Sequence, residues 1–209
     1  MIIYQLTYTE KRYMPFTSIG NDKYYSYFLE RVLKERNFDW VEKKPRFKFI
    51  KIINFSYNEY KRFYKIPDFR QYYVPMFSEK ALIALKDLLE KSGDFFEIEN
   101  FDKVYKYRWK GLKRIKNRYF VFNVKDRIDC LDIEKSNIER DMHLLNRGEV
   151  FIEEKIDKNL DIFKIKRFEN NTYVTQKFVD RVLEHNLKAF TFIPVYSSIG
   201  EKLPEIIET

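Results

Sequence analysis

One short device occurs twice in this chain, and the repetition limits the folds open to it. Tyr73-Val74-Pro75-Met76-Phe77-Ser78 reads as a β-rich run that ends in a helix cap. An amphipathic segment follows, then a short strand, Phe95-Phe96-Glu97-Ile98. Tyr173-Val174-Thr175 opens the same order, which closes on Phe190-Thr191-Phe192-Ile193-Pro194-Val195. Helices with one apolar stripe must bury it, and a neighbouring sheet is the available surface. The expected fold class is therefore α+β: a mixed or antiparallel sheet with amphipathic helices packed on it, and two strand–helix–strand units in the C-terminal part. An old duplication and chance recurrence of a common motif explain the repeat equally well.

Both helices carry clear start signals. Ser78 caps the first, and Ala81, Leu82, Leu85, Leu88 and Leu89 form its apolar stripe. Gly93 reads as its left-handed stop. Thr175 caps the second, with Phe178, Val179, Val182 and Leu183 on the buried side and Asn186 as the stop. Residues 2–8, 47–53 and 119–124 read as strands, as do 149–154 and 162–168, with a turn at Asp157-Lys158-Asn159 between the last two. Asn21-Asp22 opens a further helix to about Arg36. Pro67-Asp68 is the natural boundary, giving an N-terminal α/β appendage or subdomain (1–67), a main α+β domain (68–196) and a tail (197–209). Leu203, Ile206 and Ile207 are the tail residues able to dock it.

No apolar run approaches the roughly 20 residues of a membrane span. The N-terminus lacks the basic and apolar regions of a signal peptide. Cys130 is the single cysteine, so no internal disulfide forms and a reducing compartment suits the chain. The expected location is cytoplasmic, with no membrane partner.

Signs of catalysis are sparse. His143 and His185 have no second His or Cys at metal-ligand spacing. His185 sits where a cation complements a helix C-terminus. Cys130 reads as a small core thiol rather than a nucleophile paired with His143. Asp126, Asp129, Asp132 and Glu134 form the one acidic cluster that invites a Mg²⁺-dependent nuclease reading, but Asp132 reads better as a helix or turn cap. No phosphate loop, nucleotide fingerprint or hydrolase elbow is present. The expectation is a non-enzyme with no catalytic residue, metal site or cofactor.

The basic run is the sharper feature. The net charge of +8 raises the odds of an acidic partner. Lys103, Lys106, Arg108, Lys110, Lys113, Arg114, Lys116 and Arg118 follow one another without an acid, interleaved by Tyr105, Tyr107 and Trp109. A solvated hairpin guarded by lysines, a protein interface and a base-stacking surface all fit this pattern. As partner-binding residues the sequence nominates Tyr107, Arg108, Trp109, Lys113 and Arg114.

The order of motifs resembles a known family. Phe77-Ser78-Glu79-Lys80-Ala81-Leu82 heads a helix that Leu88-Leu89-Glu90-Lys91-Ser92-Gly93 closes. Tyr119-Phe120-Val121-Phe122-Asn123-Val124 and Ile128-Asp129-Cys130-Leu131-Asp132 follow, then Tyr173-Val174-Thr175 with a helix and an aromatic last strand. From about Asp68 to Val195 this is similar to the immunity proteins of bacterial polymorphic toxin systems, the group numbered eleven first and the group numbered forty-three next. The resemblance implies a non-enzymatic protein that binds a cognate toxin and covers its active surface. At +8 the expected toxin presents a neutral or acidic face. The alternative is a nucleic-acid-binding module using residues 103–118.

Overall fold

A computed structural model describes residues 1–9, 47–48, 67–71, 75–99, 118–136, 150–166, 168–198 and 203–209. The fold is α+β, as the sequence predicts. Its strands are β1 (Ile2–Tyr8), β2 (Phe47–Lys48), β3 (Phe69–Gln71), β4 (Pro75–Ser78), β5 (Gly93–Glu99) and β6 (Tyr119–Val124). β7 (Arg127–Ile128), β8 (Ile162–Ile165), β9 (Phe168–Thr175), β10 (Phe190–Ser197) and β11 (Ile207–Glu208) complete them. The helices are α1 (Glu79–Leu89) and α2 (Gln176–Glu184). One sheet runs β11-β10-β1-β9-β8-β7 and the other β2-β5-β6-β4-β3. Both are mostly antiparallel, with parallel pairs at β7–β8 and β2–β5.

The repeated device is one architectural unit built twice. β3-β4-α1-β5 and β8-β9-α2-β10 have the same order, and the same number of residues separates Ser78 from Gly93 as Thr175 from Phe190. In each unit a further strand lies between the two that flank the helix, antiparallel to both. β6 fills that place between β4 and β5; β1 fills it between β9 and β10. Matching hydrogen bonds mark the correspondence: Thr9 N–H to the Ala189 carbonyl, and Lys125 N–H to the Ser92 carbonyl. The strand at the start of the chain thus lies inside the sheet formed by residues 162–197. The N-terminal helix expected from Asn21 to Arg36, and most of the 47–53 strand, lie outside the described residues.

The caps show why the helices start where they do. Ser78 Oγ accepts the Ala81 N–H at 3.1 Å and donates to Asp68 Oδ1 at 2.7 Å. Thr175 occupies the extended cap position but makes no capping bond; its hydroxyl donates instead to Asp161 Oδ1 at 3.0 Å. Each unit therefore opens with an aspartate that ties its first strand to its cap residue. A lysine two residues past each cap pairs with the same aspartate: Lys80 with Asp68 and Lys177 with Asp161.

A single core joins the two units. Tyr4, Leu6, Phe69, Phe77, Phe122, Val174, Phe190 and Phe192 pack against the buried faces of both helices. Burial of such side chains contributes about 1.5–3 kcal/mol each. The other face of the six-stranded sheet has its own core, where Ile3, Phe163, Tyr173 and Val195 meet Cys130, Leu131, Phe151 and Ile156. β8, facing both cores, alternates between them.

Several local expectations need correction. Gly93 does not end α1 in a left-handed conformation. The helix closes at Glu90 with ordinary helical backbone, and Gly93 opens β5. A Cβ there would collide with the Asn123 carbonyl and lie 2.7 Å from the Phe122 ring, so close backbone approach is what requires glycine. Leu183 is 47% exposed rather than buried. The strand expected over 149–154 is a single bridge, Phe151 to Leu131, followed by a 3₁₀ turn, Glu153–Lys155. The 162–168 run divides into β8 and the start of β9. β10 continues past Pro194 to Ser197. Proline cannot donate to the ladder, and the register with β1 shifts between Ile3 and Tyr4 beside it. The tail docks: Ile207 and Glu208 pair with β10 as β11. Asn186 is left-handed, φ 49°, as its place after α2 predicts.

Candidate functional site

The helices meet side by side, and their seam is asymmetric. At equivalent positions α1 carries Ala84 and α2 carries Arg181. Arg181 reaches across the seam. Its Nη1 donates to the Ala84 carbonyl at 3.1 Å and to Asp87 Oδ1 at 2.7 Å, while Nη2 donates to Asp87 Oδ2 at 3.2 Å. These bonds hold the Asp87 carboxyl below its usual range and raise the Arg181 guanidinium. Because the folded pKa of Asp87 is depressed, the pair's contribution is present above the ordinary carboxyl range and is lost as pH falls through the lowered value. Asp87 is 61% exposed, so that contribution is small.

Arginine fills its side of the seam; alanine leaves the other side hollow. The result is a groove of about 700 Å³. Ala84, Ile83 and Asp87 of α1 form one wall, and Arg181, His185 and Leu187 form the other. Ser78, Glu79, Lys80 and Asp68 close one end. Ile83 is 73% exposed at the mouth, where the equivalent residue of α2 is Asp180. A mixed apolar and charged concavity of this kind suits a protein segment with an apolar anchor.

Among the described residues, the groups considered for catalysis do not converge. Cys130 is fully buried, and burial pushes its thiol up to about 11. Thiolate is then scarce at neutral pH, which makes the group inert. Native protein at pH 7.5 is expected to resist iodoacetamide and to react once unfolded in urea; labelling of the native chain at the rate of a free thiol would contradict the buried placement. Asp132 is a turn cap, as predicted: its Oδ1 accepts the Lys135 N–H at 3.2 Å and its Oδ2 pairs with Lys135 Nζ at 3.0 Å. Among the described residues no three His, Cys, Asp or Glu side chains gather as metal ligands. His185 is the C-cap of α2 on the groove wall. His143 lies outside the described residues.

The nominated partner-binding residues Tyr107, Arg108, Trp109, Lys113 and Arg114 also lie outside the described residues. Arg118, the end of the basic run, is described, and it is neutralised within the fold. It donates to both carboxylate oxygens of Glu97, at 2.7 and 2.6 Å, and to Glu79 at 2.7 Å. Among the described residues Asp and Glu outnumber Lys and Arg. The positive excess of the chain therefore resides in the other stretches, 103–116 foremost. Among the described residues, no helix is long and apolar enough to cross a membrane.

Sequence reasoning missed the groove. Its signal was present: superposing the two units from cap to cap, without a gap, sets Ala84 against Arg181 and Ile83 against Asp180.

The architecture is that of an α+β protein built from two like units, with an open groove between its helices. The comparison with protein families specifies the class: residues 83–197, more than half of the chain, match the immunity protein family Imm11, and the chain belongs to that family. The matched range begins at Ile83 in α1 and ends with β10, so it contains both walls of the groove. A comparison with curated proteins gives no match.

Proposed function

We propose that this protein protects a bacterial cell by binding a cognate toxin domain in the cytoplasm and covering its active surface, without converting a substrate. Membership of the Imm11 family carries this reading. Two contact regions serve it. Tyr107, Arg108, Trp109, Lys113 and Arg114 supply the aromatic and guanidinium groups that dominate interface energetics. The groove between α1 and α2 receives an apolar side chain of the toxin beside Ile83. The toxin face that meets the basic run is neutral or acidic, because a like-charged face would repel it.

The test uses the toxin domain encoded next to this gene. Co-expression with the wild-type protein is expected to restore growth of toxin-producing cells. Trp109→Ala, Arg114→Ala and Ile83→Asp are each expected to weaken toxin binding by about thirtyfold, the effect of losing a hot-spot contact of about 2 kcal/mol. Protection and affinity unchanged in all three would remove both contact regions. Binding to nucleic acid instead would show as a steep loss of affinity with rising salt, through counterion release, and as no capture of the toxin.

A further inference from the structure

Ala189 adopts φ 74° and is fully buried. A side chain other than glycine or asparagine rarely occupies this region, because Cβ crowds the following carbonyl. Such a conformation persists where its surroundings impose it. Here the surroundings are Thr9, whose N–H donates to the Ala189 carbonyl at 3.3 Å, and Thr209. The Ala189 N–H donates to the Thr209 carbonyl at 2.9 Å, and the Thr209 N–H donates to the Phe190 carbonyl at 3.0 Å. The Phe190 N–H donates to Thr209 Oγ1 at 3.1 Å. Ile207, two residues earlier, packs on the core joining both sheets.

The other side of the same turn builds the groove. The Lys188 N–H donates to Asp68 Oδ2 at 3.0 Å, and the Lys188 carbonyl accepts the Asp68 N–H at 3.0 Å. Lys80 Nζ donates to the Asn186 carbonyl at 3.2 Å. Leu187, between them, is a groove wall. Residues 185–189 are thus held by the groove's own polar end, by the Thr9 N–H on the Ala189 carbonyl and by residues 203–209.

The other unit provides an internal control. Ser92 is the counterpart of Ala189, and among the described residues only Asn186 and Ala189 are non-glycine residues with positive φ. β2, the outer neighbour of β5, pairs with Ile98 and Glu99, far from the helix–strand turn. Strained backbone and a strap across it occur together, in the unit whose helix–strand turn forms the groove wall.

We propose that residues 203–209 act as a strap that holds the 185–189 turn in its strained form, so that docking of the strap sets the shape of the groove and its affinity for the toxin. The coupling to affinity rests on the immunity reading; the coupling of strap to turn does not. A partner that displaces the strap would loosen the groove, and one that binds the groove would tighten the strap, since linkage is reciprocal.

The test follows amide hydrogen exchange and toxin affinity in full-length variants. Ile207→Asp undocks the strap, and Thr209→Ala removes one of its bonds. Exchange at Leu187, Lys188 and Ala189 is expected to rise about tenfold or more in Ile207→Asp and less in Thr209→Ala, with Val124 and Lys125 unchanged. Toxin affinity is expected to fall about tenfold in Ile207→Asp. Adding Ala189→Gly restores affinity and the protection of Leu187 and Lys188, because glycine tolerates φ near 74° without a strap; the residue 189 amide, whose acceptor is on Thr209, stays fast. Unchanged exchange in both strap variants, or failure of Ala189→Gly to rescue, overturns the strap. Faster exchange with undiminished toxin affinity overturns its control of binding. If the wild-type protein binds no toxin, the immunity reading fails, and exchange alone decides the strap.

Discussion

Phe190→Ala is expected to lower folding stability by about 3–5 kcal/mol, the range for removing a fully buried phenylalanine. Phe190 is a ring through which the two units touch. It stacks on Phe69 at 4.7 Å and 18°, and lies 6.4 Å from Phe77, both in the five-stranded sheet. It also stacks on Phe192 of its own strand at 5.9 Å. Removing it leaves a void walled by strands of both sheets. Those strands are fixed by their ladders, so the site collapses poorly and the cost falls at the upper end. Urea unfolding followed by fluorescence would show it as a lowered midpoint. A loss below about 1 kcal/mol would mean that the units do not share one core.

The counterpart of Phe190 in the other unit is Gly93, and the exchange has a physical logic. Phe95 pairs with Phe122 of β6, while Phe192 pairs with Leu6 of β1. One unit puts its large ring on the middle strand and glycine on the strand after the helix. The other puts leucine on the middle strand and the ring after the helix. Close packing demands that volume be conserved across facing positions, and here it is conserved between strands far apart in sequence. This explains what the sequence could disclose. The stripe of α1 apart from Leu82, which is half-buried, and Ala84, which that stripe omitted, the cap at Ser78, the Tyr119–Val124 run and the stop at Asn186 depend on neighbours a few residues away and could be read. The position of β1 between β9 and β10 depends on pairing across the length of the chain, and alternation in residues 2–8 cannot specify it. Gly93 was misread for the same reason, since the carbonyl that forbids its Cβ belongs to β6. The groove was hidden because Ala84 is unremarkable until it is set against Arg181.

Asp68→Ala is the second large effect, at about 3 kcal/mol, because it strips the acceptor from several donors at once. Asp68 is 8% exposed. Its carboxylate accepts from Ser78 Oγ and from the Lys188 N–H, and it pairs with Lys80 at 3.6 Å. Lys80 is 58% exposed and loses little, because water replaces the carboxylate. The Lys188 amide is less easily satisfied: it is part-buried in the turn behind the groove, and a donor stripped of its acceptor there costs more than an exposed one. The matching aspartate supplies the comparison. Asp161 accepts from Thr175 Oγ1 and pairs with Lys177; both partners are side chains, and the hydroxyl can turn to a new acceptor. Asp161→Ala is therefore expected to cost about 1–2 kcal/mol. Parallel urea titrations of the two variants test the ranking. Equal losses would mean that the tie from β3 to the turn after α2 contributes nothing beyond the cap, and the groove would then owe its shape to the helices alone.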